Sequence, residues 1–131
     1  MAMPTPPPQA SLTVTLDGLR NDKGVVQLCL TRDTADFLDC EKHDQRVTRE
    51  LAATAAENVK LTGLAPGEWS LLVLHDENDN GKLDTMLGIP KEGFGFSGNP
   101  KIRMGPPKAK QVKFELPAGS SAQRVKLRYL L

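Results

Sequence analysis

Apolar residues at every second position are the feature that most limits what this chain can become. In an extended chain alternate side chains share a face, so a strand with one face on a core reads apolar, polar, apolar. Leu12, Val14 and Leu16 form one such set before Asp17-Gly18, and Val26, Leu28 and Leu30 form the next after Asn21-Asp22-Lys23-Gly24. The turn chemistry between them predicts a hairpin. Trp69, Leu71, Val73 and His75 follow a Pro66-Gly67 turn as the most apolar alternating run, which predicts the central strand. Val112, Phe114 and Leu116, then Val125, Leu127 and Tyr129, predict two closing strands.

Between these runs, residues 32–46 are polar apart from Phe37 and Leu38 and read as a long loop. The alanine-rich stretch 47–56 is ambiguous, fitting a short helix before Asn58, Val59, Lys60 and Leu61 resume a strand pattern. A glycine- and proline-rich stretch from Asp76 to Pro107 is too long for an idle connection and is expected to be one long ordered loop. Six or seven short strands with no helix suited to a βαβ crossover predict an all-β fold, an antiparallel β-sandwich of about seven strands. At 131 residues one domain is expected, with 1–10 a proline-rich tail and 11–131 the sandwich.

The formal net charge is +1, which supplies no field to draw in nucleic acid or anionic lipid. Lys108, Lys110 and Lys113 are the densest basic group, with no aromatic residues interleaved to stack bases, so a nucleic-acid partner is not expected. No apolar run has the length of a transmembrane helix. The start, Met1-Ala2-Met3-Pro4, reads as a cloning scar or the mature end of a precursor whose signal peptide has been removed.

The chain has two cysteines, Cys29 and Cys40, without the spacing of a zinc site. They are either a disulfide or two separately packed thiols. Cys29 falls on the polar phase of its strand and Cys40 in a polar loop, which favours the bridge and with it an oxidising compartment.

The segment most suggestive of chemistry is His75-Asp76-Glu77-Asn78-Asp79-Asn80-Gly81-Lys82-Leu83-Asp84. Ca²⁺ takes six to eight oxygen ligands, and alternate positions of a curled loop can direct Asp76, Asn78 and Asn80 inward. Gly81 allows the sharp turn, Lys82 offers its backbone carbonyl, and Asp84 coordinates directly or through water. Leu87 stands where an EF-hand would place its bidentate Glu, so Glu92 is the nearest carboxylate able to complete the set. Glu77 and Asp79 would be outer charges. The competing reading is a plain connection, since Asp and Asn bond their own backbone in turns.

A catalytic role for His75 as a general base defines an alternative, a hydrolase using His75 with the loop carboxylates, but no nucleophile is evident beside it. A carbohydrate-binding module is a further alternative, for which one Trp and one Tyr are few aromatics. Phe94 and Phe96, alternating with glycines, are expected to pack over the sandwich edge.

Taken together, Leu64-Ala65-Pro66-Gly67, His75-Asp76-Glu77-Asn78, Asn80-Gly81-Lys82-Leu83-Asp84, Gly88-Ile89-Pro90-Lys91-Glu92-Gly93-Phe94-Gly95-Phe96-Ser97 and Gly105-Pro106-Pro107 resemble the signature of a bacterial family of exported domains of unknown function. Asp79 and Met86 look like local variants of it. The resemblance implies an export signal in the precursor, a periplasmic or secreted location, and an immunoglobulin-like or transthyretin-like sandwich. It implies no reaction and assigns no catalytic or metal residues. The functional expectation is therefore a non-catalytic binding or structural module, with a protein or glycan ligand and a loop stabilised by Ca²⁺.

Overall fold

The computed structural model describes residues 8–78, 85–86, 89–90, 92–101 and 106–129. The strands are β1 (Ala10–Asp17), β2 (Val25–Thr31), β3 (Arg46–Ala52), β4 (Asn58–Leu64), β5 (Gly67–Asp76), β6 (Thr85–Met86), β7 (Ile89–Pro90), β8 (Gly93–Phe96), β9 (Phe114–Leu116) and β10 (Gly119–Lys126). One sheet has the order β10-β1-β4. The other runs β3-β2-β5-β8, with β9 also paired to β5, while β6 and β7 pair with each other. Among the described residues no helix is long and apolar enough to cross a membrane.

The alternation in β1 and β2 does what it should, burying Leu12, Val14 and Leu16 against Val26, Leu28 and Leu30 in one core. The two strands are nevertheless not a hairpin. β1 pairs with β4 and β10, and β2 with β3 and β5, so their apolar faces meet across the sandwich instead of lying side by side. Periodicity fixes the face a strand presents but not its neighbour, and the connection from Gly18 to Gly24 is too long for the two-residue turn that would enforce pairing. The all-β sandwich stands, with one pairing running the other way. β10 lies parallel to β1, from Ala10 opposite Gly119 to Asp17 opposite Lys126.

β5 is the central strand, paired with β2 throughout Ser70 to Asp76. Trp69, Leu71 and Val73 face the main core. The stretch at 47–52 is strand β3, followed by a 3₁₀ turn at Ala53–Ala55. Pairing with β2 takes Val47 to Ala52 into the sheet, and Ala53 and Ala55 fall in the 3₁₀ turn that follows. Val112 is not in a strand with Phe114 and Leu116; it ends a single helical turn, α1 (Ala109–Val112).

The outer face of the β2-β5 sheet is also buried. A 3₁₀ segment, Thr34–Lys42, lies over it, and Phe37, Leu72, Phe94, Phe96 and Val112 form a second apolar cluster. Phe94 and Phe96 are packed as expected, both 6% exposed. Cys29 and Cys40 are bonded at 2.03 Å, tying this covering segment to β2. Cys29 sits opposite Leu72 on the covered face. Its polar phase in the sequence is the phase of a face roofed by another part of the chain.

Strand β8 is stitched to the end of β10 where Phe94 and Arg128 exchange both backbone bonds, at 3.1 and 2.8 Å. Asn99 reinforces this side by donating its amide to the Arg124 carbonyl and accepting the Lys126 N–H.

Candidate functional site

The end of β5 carries His75 and Asp76, and the chain then turns through Glu77 and Asn78. Three other segments converge there: the connection 20–24, the start of β8, and Tyr129. Gly24 has φ of +67°, and any Cβ on it would strike the Asp76 carbonyl and the Glu77 backbone. Glycine is thus required both for the left-handed turn and for the close approach of the connection to β5.

His75 is fully buried. Its Nε2 lies 2.7 Å from the Lys23 carbonyl and its Nδ1 2.7 Å from the Tyr129 hydroxyl. A carbonyl can only accept, so Nε2 carries a hydrogen. In the neutral ring Nδ1 then accepts from the tyrosine hydroxyl. That hydroxyl also accepts the Arg20 N–H at 3.3 Å, which uses its donor and acceptor capacity in one direction. The two rings stand edge to face at 5.9 Å. Both ring nitrogens of His75 are thus engaged inside the fold.

Arg20 covers the other side of Tyr129, its guanidinium 4.5 Å from the ring centroid. The same group bonds Glu77, with Nε at 3.0 Å from Oε1, and Asn21 donates to Oε2 at 2.8 Å. Burial works to raise the Glu77 carboxyl, but the hydrogen bonds from Arg20 and Asn21 and the charge of Arg20 outweigh it and hold it below the ordinary 4.5. Burial raises the Tyr129 hydroxyl above its usual 10.0; the Glu77 charge adds to this, while the Arg20 hydrogen bond and charge oppose it. Glu77 is therefore no outer charge. It is the hub that ties the 20–24 connection to the end of β5. The sequence signal for this cluster was slight, since Arg20, Asn21 and Tyr129 are each unremarkable alone and meet only through the fold.

Of the proposed calcium ligands, Asp76 is 3% exposed at the strand end and Asn78 is exposed just beyond it. Glu92, 5% exposed, has folded back so that its Oε2 accepts the Glu77 N–H at 2.7 Å, beside Asp76. Asn80, Lys82 and Asp84, with Asp79, lie outside the described residues. Among the described residues no group of three or more His, Cys, Asp and Glu is disposed to hold a metal ion.

At the opposite end of β2 the disulfide-closed segment forms a second polar region. The Thr31 hydroxyl accepts the Asp33 N–H at 3.0 Å. His43 stands between carboxylates, with Nδ1 3.3 Å from Asp33 and Nε2 3.4 Å from Asp36. Arg46 donates to the His43 carbonyl at 2.7 Å.

A family model described as an uncharacterized protein conserved in bacteria matches residues 14–124, nearly the whole sandwich. No curated protein sequence matches the chain. A solved pilus-presented adhesin is similar at 17% identity with a TM-score of 0.34, over 91% of this chain and 27% of the adhesin's, so the chain spans about a quarter of that protein's length.

Proposed function

The chain belongs to the DUF2141 family of proteins conserved in bacteria, and we propose that it acts as an exported, non-catalytic binding or structural module whose 76–84 loop is steadied by Ca²⁺. The observation that carries this reading is the closed polar cluster at the root of that loop. His75, Tyr129, Arg20, Asn21 and Glu77 are joined by hydrogen bonds into one network that also takes in the Lys23 carbonyl, which supports a bracing role for it. The buried disulfide supports an oxidising, extracytoplasmic address.

For the metal, Asp76, Asn78, Asn80 and Asp84 would supply side-chain oxygens and Lys82 its carbonyl. Glu92 is the carboxylate best placed to add to them, because it already returns to the Asp76–Glu77 backbone. Titrating the chelator-treated protein with Ca²⁺ in a calorimeter, and melting it with and without the ion, tests the reading. Saturable heat and a raised Tm are expected, both abolished by Asp76→Ala. Absence of both would remove calcium from the account and leave the sandwich intact.

A further inference from the structure

The region at the far end of β2 has features beyond structural support. Thr31, Arg32, Asp33, His43, Asp44 and Gln45 line an open cavity of about 370 Å³, toward the small end of the range for ligand pockets. Its two walls come from residues 31–33 and 43–45, held together by the β2–β3 pairing that sets Thr31 opposite Arg46. The Cys29–Cys40 bridge and the bonds of His43 and Thr31 tie down the intervening chain, while Arg32, Asp44 and Gln45 are exposed to solvent.

Arg32 is the informative member. Its guanidinium lies 5.5 Å from the centroid of the buried Trp69 ring. Gly67 leaves room for it, since a Cβ there would come within 2.7 Å of Nη2. Among the described residues no carboxylate is bonded to Arg32, and the side chains of Asp44 and Gln45 make no hydrogen bond. An always-charged fork held against an aromatic ring is suited to bidentate capture of a carboxylate. Asp44 and Gln45 provide acceptors and donors for hydroxyl groups beside it.

Every lining side chain is polar or charged, so nothing in the cavity would take the apolar side chain of a peptide. The geometry points to a binding site for an acidic saccharide, a uronic acid whose carboxylate sits on Arg32 and whose ring hydroxyls bond Asp44 and Gln45. This rests on the binding-module reading but not on calcium, and Thr31 and Asp76 stand at opposite ends of the β2–β5 ladder.

Trp69 is the sole tryptophan and lies beneath Arg32, so its emission reports directly on the site. With chelator present throughout, the intact protein is titrated with digalacturonate, with a neutral disaccharide, and with a short peptide bearing a free C-terminal carboxylate. A saturable change with digalacturonate alone is expected. Arg32→Gln should weaken it about tenfold or more, the loss of a charged bidentate contact. Asp44→Asn, which does not touch Trp69, should weaken it several-fold with Tm unchanged, separating binding from folding. No saturable response by emission or by chemical shifts of the Gln45 amide, undiminished binding to Arg32→Gln, or preference for the peptide would each overturn the assignment. Because calcium is absent, failure here leaves the calcium titration unaffected, and the converse holds.

Discussion

The Tyr129 hydroxyl lies 2.7 Å from Nδ1 of His75, 54 positions earlier in the chain and without exposure to solvent. The pair joins the segment that follows β10 to the central strand and decides whether the polar cluster beside Asp76 and Glu77 is satisfied.

Removing the hydroxyl should therefore cost more than one hydrogen bond. Tyr129→Phe keeps the ring, its contact with Gly93 and its place under Arg20, but leaves a buried imidazole nitrogen without its donor. A loss of about 1–3 kcal/mol is expected, the range for an orphaned buried polar group. Urea unfolding followed by Trp69 emission measures it. A loss indistinguishable from zero would show that the hydroxyl does not bear on the cluster.

The same residue can be titrated directly, because the chain contains one tyrosine. Tyrosinate absorbance should rise above pH 10.0 in the native protein and near that value in urea, since burial and then the Glu77 charge disfavour the anion more than Arg20 favours it. With the folded value raised, this contribution to stability is complete below pH 10.0 and disappears as pH climbs through the folded value. Coincident native and unfolded titrations would contradict the assigned environment.

Glu77 has the opposite sign. Its folded value lies below the ordinary 4.5, so its stabilisation is present above that value and is lost as pH falls through the folded one. Glu77→Gln should melt lower than the unaltered protein at neutral pH by an amount worth about 1 kcal/mol or less, because Arg20 is 37% exposed and water screens the pair. The difference in Tm should close in acid. A gap that is constant with pH would mean the carboxylate charge is not what the cluster uses.

The disulfide holds the roof over the second apolar cluster. Replacing both cysteines by alanine frees the segment closed by a separation of 11 residues, with an expected cost of about 2–3 kcal/mol. Phe37 would be the first of that cluster to lose cover, so binding of a hydrophobic dye should rise before the main transition. A variant with unchanged urea midpoint and no dye binding would show that the roof holds without the bridge.

Much of this fold was written in the alternation of apolar residues. Leu12, Val14, Leu16, Val26, Leu28, Leu30, Leu71 and Val73 all face the core the pattern assigns them. What alternation could not encode was adjacency. β1 and β2 share a core yet not a sheet, and the parallel partner of β1 is 109 residues further on. The closing strand expected over Val125, Leu127 and Tyr129 instead runs Gly119–Lys126, where only Val125 is buried and no apolar alternation marks it. The candidate sites were legible in proportion to their locality. Cys29 and Cys40 could be paired from two positions and their setting, whereas the Arg20, Glu77, His75 and Tyr129 cluster draws single residues from separated segments, and the Arg32 cavity exists only because two ends of one loop return to the same place.

The parallel ladder between β1 and β10 carries a mechanical meaning. Ala10 enters at one pole beside Gly119, and Lys126 leaves at the other beside Asp17. A load applied through those two points acts along the strands, so the bonds of the ladder share it at once instead of parting one after another. The two strands through which the sandwich is entered and left are thereby the clasp that a pulling force must shear.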